Sequence, residues 1–248
     1  MRAFCCDPIP GPGQELQLAA AEAFHAVRVL RARPGDRCRL LDGHGTTAEA
    51  EILAAGHQGR TEMARLRILA RQCWRPPACR LRVCIAPPRA KLWNQLLKDL
   101  TELGVGQITP LLCEFSIARP NAHAASHWLD DLHTGMKQSG NPFLPQLDPP
   151  RTFAAALEAL AATPGVFGDL AADAPPFAFP QPAPAEFTLW IGPEGGFSPA
   201  ERQALRQAGI APLRLGNWIL RVETAAPALL GFLLGSAPDA FRSHPDAG

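Results

Sequence analysis

No apolar run in this 248-residue chain reaches the roughly 18 positions that a membrane-spanning helix needs, so no helical membrane span is expected. The N-terminal "MRAFCCDPIPGPGQE" lacks the long apolar stretch of a secretory signal, which points to a cytoplasmic protein. A disulfide or zinc framework is missing as well. The seven cysteines (5, 6, 38, 73, 79, 84 and 113) are odd in number and contain no C-x-x-C pair. They read as reduced, mostly buried thiols, the adjacent Cys5 and Cys6 included, and no metal is expected. Charge of one sign is also lacking: 24 Lys and Arg stand against 23 Asp and Glu, for a net charge of +1. The distribution is less even. Residues 1–75 hold eleven Arg against eight acids, net +3, and the remainder is net −2. That mild N-terminal bias is compatible with phosphate contact.

What is present is a globular composition, 47% apolar and 19% charged. "GDRCRLLDGHGTTAEAEIL" places two β-like runs, Cys38–Leu41 and Thr47–Leu53, around an Asp-Gly/His-Gly turn. Before it, "ELQLAAAEAFHAVRVLRAR" has helical spacing, with Ala19, Ala23, Val27 and Leu30 on one side and Pro34-Gly35 as the stop. "TEMARLRILARQ" alternates, with Leu66, Ile68 and Ala70 facing one way. Residues 1–72 therefore read as a small β-barrel with one helix. "CWRPPAC" (Cys73–Cys79) reads as a linker. From residue 79 to 236 strands alternate with helices, which implies a parallel sheet, so the fold class is α/β. A Pro/Ala-rich loop spans Ala172–Phe187, and the tail after Ser236 is expected to fray.

Two loops carry the chemistry. In "LWIGPEGGFSPAE" (Leu189–Glu201) a strand enters a Pro/Gly loop and leaves through Ser198-Pro199-Ala200-Glu201, a capping box with Pro at the first helical position. The loop therefore joins the carboxyl end of a strand to a helix N-terminus, where open α/β sheets bind ligands. Gly195-Gly196 would let a ligand approach the backbone closely. The alternative is a tight turn with nothing bound. Neither Gly-Lys-Ser/Thr nor GxGxxG is present, and Glu194 would repel a bare polyphosphate. In the second loop, "LRLGNWILRVETAA" (Leu213–Ala226), two readings stand. One is a core strand carrying an ion pair; the other is an apolar slot for a flat heterocycle, with Arg221 directed at a substrate.

The segments "ELGV" (102–105), "QSG" (138–140), "IGPEGGFS" (191–198) and "LG..ILR.ETA" (215–225) resemble the RsmE family, the 16S ribosomal RNA uracil-N3 methyltransferases. "MRAF", "H..RVLRARPGD" and "LLDGHG" fit the RNA-binding barrel of that family, so the resemblance spans essentially the whole chain. It implies a PUA-like β-barrel followed by a SPOUT α/β domain with a C-terminal trefoil knot, and a homodimer with its active site near the interface. S-adenosylmethionine would lie between the two loops, against Ile191, Gly192, Glu194, Gly195, Gly196, Leu215, Gly216, Ile219, Leu220, Thr224 and Ala225. Arg221 is the implied catalytic residue, orienting the uridine and steadying negative charge, with Glu223 as its structural partner. Arg2, Arg28, Arg31 and Arg33 are the implied RNA contacts, and 16S rRNA of the small ribosomal subunit is the implied substrate.

Three positions depart from the family pattern: Asp99 stands where lysine is usual, and Asn141 and Trp218 where arginine is usual. Fewer basic groups would weaken phosphate contact, with Lys98, Arg119 or Lys137 as nearby substitutes. Two other functions therefore stay open. One is an RNA-binding or ribosome-assembly protein with weakened catalysis, and the other is a methyltransferase acting on a different RNA.

Overall fold

The structure is a computed structural model and describes residues 2–59, 61–118, 125–170 and 176–246. The chain divides into two compact units. One is Met1–Pro76 with Met136–Leu144 and Ser243–Gly248; the other is Pro77–Gly135 with Pro145–Arg242.

The first unit begins with β1 (Arg2–Cys5), β2 (Glu15–Gln17) and α1 (Ala20–Phe24). A π-helical turn, His25–Val29, precedes β3 (Arg37–Leu41), β4 (Thr46–Gln58) and β5 (Thr61–Arg75). β1 runs parallel to β3, while β3, β4, β5 and β2 pair antiparallel in that order. Phe4, Leu40, Ile52, Leu66 and Ile68 fill one core with Ala23 and Ala26. The helix expected over residues 15–33 is much shorter. Leu16 pairs with Leu66, and Glu15 forms ion pairs with Arg65 and Arg67, so this end of the segment is a strand; sheet pairing overrides helical spacing here. Alternation in β5 holds through Ala64, Leu66 and Ile68 but leaves Ala70 exposed. Ala70 lies opposite Glu49, where the β4–β5 register shifts, and such a bulge re-aims the side chains beyond it.

The second unit contains β6 (Arg80–Ile85), α2 (Ala90–Glu102), β7 (Gln107–Leu112), α3 (Ala125–Ser139) as far as Gly135, its last turn from Met136 belonging to the first unit, β8 (Gln146–Leu147), β9 (Arg151–Thr152) and α4 (Phe153–Ala159). β10 (Gly165–Gly168), β11 (Glu186–Ile191), α5 (Pro199–Gln207), β12 (Ala211–Leu213) and α6 (Val222–Ser236) complete it. The strands form one parallel sheet in the order β12-β10-β11-β6-β7-β8, with β9 also beside β7. α4 and α5 cover one face through Phe153, Ala156 and Leu205, packed on Trp190, Phe167 and Cys84. α2 packs beside α6, and α6 against β11. With both faces covered, β11 (EFTLWI) is buried almost throughout, as a strand inside a parallel sheet must be. β11 fills the place between β10 and β6, and the chain then passes to the far side of β10 for β12. The loops that leave β12, β10 and β11 therefore emerge side by side at the carboxyl edge.

The C-terminal tail, expected to fray, contributes a short strand. In the first unit β13 (His244–Pro245) pairs with β5 at Arg75 and Trp74, and Asp246 forms an ion pair with Arg75. β5 itself runs into the segment expected to be a linker, which leaves only Pro76–Cys79 outside strands. Part of the expected Pro/Ala-rich loop (residues 172–175) and Arg119 lie outside the described residues.

Candidate functional site

At the carboxyl edge of β12, β10 and β11 lies a cavity of about 710 Å³. Its walls are the loop after β11, the loop after β12, and Gly168–Leu170 after β10. The loop after β11 is built to be rigid. Ser198 Oγ accepts from the Glu201 backbone N–H at 3.2 Å, and Glu201 Oε2 accepts from the Ser198 N–H at 2.8 Å, so the expected capping box is formed. The other oxygen, Oε1, accepts from the Glu114 N–H at 2.9 Å, which ties the loop after β7 to the same helix start. Gly196 N–H donates to Pro193 O at 2.7 Å and closes the turn. Two glycines serve different ends in this turn. A Cβ on Gly192 would lie 2.9 Å from the Phe197 nitrogen, so Gly192 lets the loop fold onto itself. Gly196 has φ +73° and would meet nothing within 4 Å, so its bare backbone is open.

The loop after β12 is not a core strand. Trp218 and Ile219 are 83% and 82% exposed while lining the cavity. Arg214 braces the turn before them, donating from Nε to Gly216 O and from Nη2 to Asn217 Oδ1, each at 2.7 Å.

The structure brings most of the expected ligand-contact residues together. Ile191, Gly192, Glu194, Gly195 and Gly196 line the cavity from one side, and Leu215, Gly216, Ile219, Leu220 and Ala225 from the other. Thr224 is exposed and does not line it. Arg221 is exposed too, outside the lining, at the N-cap position of α6, where its carbonyl accepts from the N–H groups of Thr224 and Ala225. The expected Arg221–Glu223 pair is not formed among the described residues; a spacing of two at a helix start directs these side chains apart. Sequence reasoning missed Asp169, Arg202 and Arg214, all of which line the cavity. No local pattern around Asp169 names the neighbours of β10, and only the placement of β10 beside β11 brings Asp169 to the site.

Residues 75–234 match the RNA methyltransferase domain family, and residues 18–59 match the RNA methyltransferase PUA domain. The chain belongs to the RNA methyltransferase family. It is 28% identical over 218 residues to the ribosomal RNA small subunit methyltransferase E of Synechocystis, covering 86% of this chain and 70% of that one. Its fold matches the crystal structure of the Neisseria gonorrhoeae ribosomal RNA small subunit methyltransferase E bound to S-adenosyl methionine, with TM-score 0.83, 24% identity and coverage of 95% and 97%. A Legionella pneumophila putative methyltransferase in complex with SAM matches with TM-score 0.79, 25% identity and coverage of 94% and 97%. This RNA methyltransferase thus has the expected α/β class, with a PUA domain match over residues 18–59 followed by the methyltransferase domain.

The four expected RNA contacts differ in availability. Arg2 forms an ion pair with Asp36 and also donates to Leu30 O, and Arg28 bonds Glu62 Oε1 at 2.7 Å. Arg31 and Arg33 are exposed and form no ion pair among the described residues. The suggested substitutes are committed elsewhere: Lys98 pairs with Asp131 at 3.2 Å and Lys137 with Glu22 at 2.9 Å. Asp99 accepts from Gln95, and Asn141 Oδ1 accepts from the Phe143 N–H, so both departures from the family pattern have local structural partners. Among the described residues no cluster of His, Cys, Asp or Glu is arranged to hold a metal, and no helix is long and apolar enough to cross a membrane.

Proposed function

We propose that this protein transfers a methyl group from S-adenosylmethionine to N3 of a uridine in the 16S RNA of the small ribosomal subunit. The observation that carries the proposal is the cavity, because both loops singled out in the sequence meet there at the carboxyl edge of neighbouring parallel strands. Its 710 Å³ falls within the roughly 300–1,000 Å³ of small-molecule sites. A Cβ on Gly196 or Gly216 would meet no protein atom within 4 Å, so backbone is bared at both loops. The names of the 28%-identical relatives support the ribosomal RNA substrate.

Bound there, the donor supplies an electrophilic methyl on a sulfonium. The remaining work falls to the chain. The backbones of Ile191–Gly196 and Leu215–Leu220 hold the ligand, and Glu194 favours a cationic ligand over a polyphosphate. Uracil N3 must lose its proton before it attacks, and a base paired through N3 is unreachable, so the target must be unpaired or flipped. Positioning in line with the methyl and stabilising the developing anion are then the main demands. Arg221, exposed beside the cavity-lining Leu220 and Val222, is the group assigned to that anion. Arg31 and Arg33 give the PUA-like domain uncommitted cations for phosphate contact. The exposed Trp218–Leu220 segment supports a homodimer, since an apolar patch of this kind is normally covered by protein. A trefoil knot through β11 and β12 and a cytoplasmic location belong to the same reading.

The test is methylation of purified 16S RNA by the purified protein with labelled donor, followed by nucleoside analysis. The proposal expects label in 3-methyluridine. Label in another nucleoside, or only in a different RNA, would refute it.

A further inference from the structure

The donor proposed above has two ends, a nucleoside and an amino acid bearing a carboxylate and an ammonium. Four ionisable side chains line the cavity: Asp169, Glu194, Arg202 and Arg214. Their commitments differ. Arg214 already makes the two hydrogen bonds that brace its own loop. Asp169, whose side chain is 4% exposed, accepts from Arg206 Nη2 at 2.9 Å, and Arg206 is further fixed over the ring of Phe167 at 5.7 Å. Arg202 lies only within 3.9 Å of Asp169 Oδ1 and donates no side-chain hydrogen bond among the described residues. Arg202 and Asp169 also line a smaller recess of about 310 Å³ with Pro199 and Arg206. A guanidinium that donates no side-chain hydrogen bond among the described residues thus stands in the cavity wall, at ion-pair distance from a buried carboxylate that Arg206 also bonds.

We propose that Arg202 binds the α-carboxylate of the donor's amino-acid end, with Asp169 and Arg206 as the pair that positions it. A guanidinium fork matches a carboxylate in two places, and such charge-assisted bonds are the strong ones. Arg202 lies in the first turn of α5, whose helix dipole also favours an anion at that end. The arrangement separates the two halves of the ligand. The glycine loops receive the nucleoside, and Arg202 reads the amino acid. This inference rests on the donor-site reading and adds the residue that distinguishes the donor from a simple nucleoside.

Calorimetry with two probes tests it on the full chain. S-adenosylhomocysteine carries the amino-acid end; 5′-methylthioadenosine keeps the nucleoside and sulfur but lacks it. Arg202→Gln is expected to weaken S-adenosylhomocysteine roughly ten- to hundredfold and to leave methylthioadenosine unchanged, because one charge-assisted contact is lost from one probe only. Arg202→Lys, which keeps the charge without the fork, should fall between wild type and Arg202→Gln. A parallel loss of both probes would show that Arg202 shapes the cavity rather than reading the carboxylate. Unchanged affinity for both overturns the proposal, and a drop in RNA affinity instead would place Arg202 on a nucleic-acid phosphate. Failure of the wild-type protein to bind either probe would refute the donor-site reading itself, a result distinct from any produced by the variants alone.

Discussion

Glu201 Oε1 accepts the backbone N–H of Glu114 at 2.9 Å, across 87 positions of sequence, while its other oxygen closes the capping box with Ser198. One buried carboxylate therefore holds two loops at the carboxyl edge of the sheet. Glutamine offers one acceptor oxygen in place of two, so Glu201→Gln should leave one buried N–H unpaired, at a cost of about 1–3 kcal/mol. Chemical denaturation measures this. Wild-type stability in Glu201→Gln would mean that the bridge to Glu114 is replaceable.

The glycines of the loop after β11 should separate folding from binding. Gly192→Ala would drive a Cβ to 2.9 Å from backbone and should lower the melting temperature. Gly196→Ala meets no protein atom, so beyond about 1–2 kcal/mol of left-handed strain its effect should fall on donor affinity. Gly195 is less clean, since its Cβ would press on Phe115 at 3.1 Å. Normal donor affinity in Gly196→Ala would remove that backbone from the site.

Arg221 should matter to turnover more than to stability. With no ion pair to Glu223 among the described residues, Arg221→Ala ought to keep its melting temperature. Loss of a positioned charge-stabilising group typically lowers the rate by about 10²–10³, with donor affinity preserved. Arg221→Lys should recover little if the planar fork grips a uracil carbonyl or a phosphate. Full methylation by the lysine variant would reduce Arg221 to a charge.

On the RNA side, Arg31→Ala and Arg33→Ala should each reduce the slope of log affinity against log salt by about 0.7–0.9. Arg2 is already paired with Asp36, so Arg2→Ala should act through barrel stability instead. Equal slope changes at all four arginines would contradict this division.

Thiol chemistry is a further check. Burial pushes Cys38, Cys84 and Cys113 up to about 12, and Cys5 and Cys79 to about 11. The thiolate is the reactive form, so these groups gain reactivity only as pH climbs towards those values. Exposed Cys73 should take up iodoacetamide first near neutral pH, as mass spectrometry would reveal. Rapid labelling of Cys84 would contradict its burial.

Much of the fold was legible because its signals are local. The Ser198–Glu201 box, the apolar run of β11 and the turn between β3 and β4 each need only neighbouring residues. The misses are long-range. Glu15–Gln17 is a strand because β5 stands beside it, and His244–Pro245 is ordered by the same strand. The ten expected residues that line the cavity all lie in the two motif segments, whereas Asp169 reaches it through a strand order that no local pattern encodes. The second motif carries Arg221 and Thr224 into the start of α6, where both are exposed and lie outside the cavity lining.

The central claim is methylation of uridine N3 in 16S RNA, and mass spectrometry of 16S nucleosides from cells with and without this gene tests it most directly. The account predicts that 3-methyluridine disappears from 16S RNA when the gene is removed and returns when it is restored. An unchanged 3-methyluridine content would contradict it.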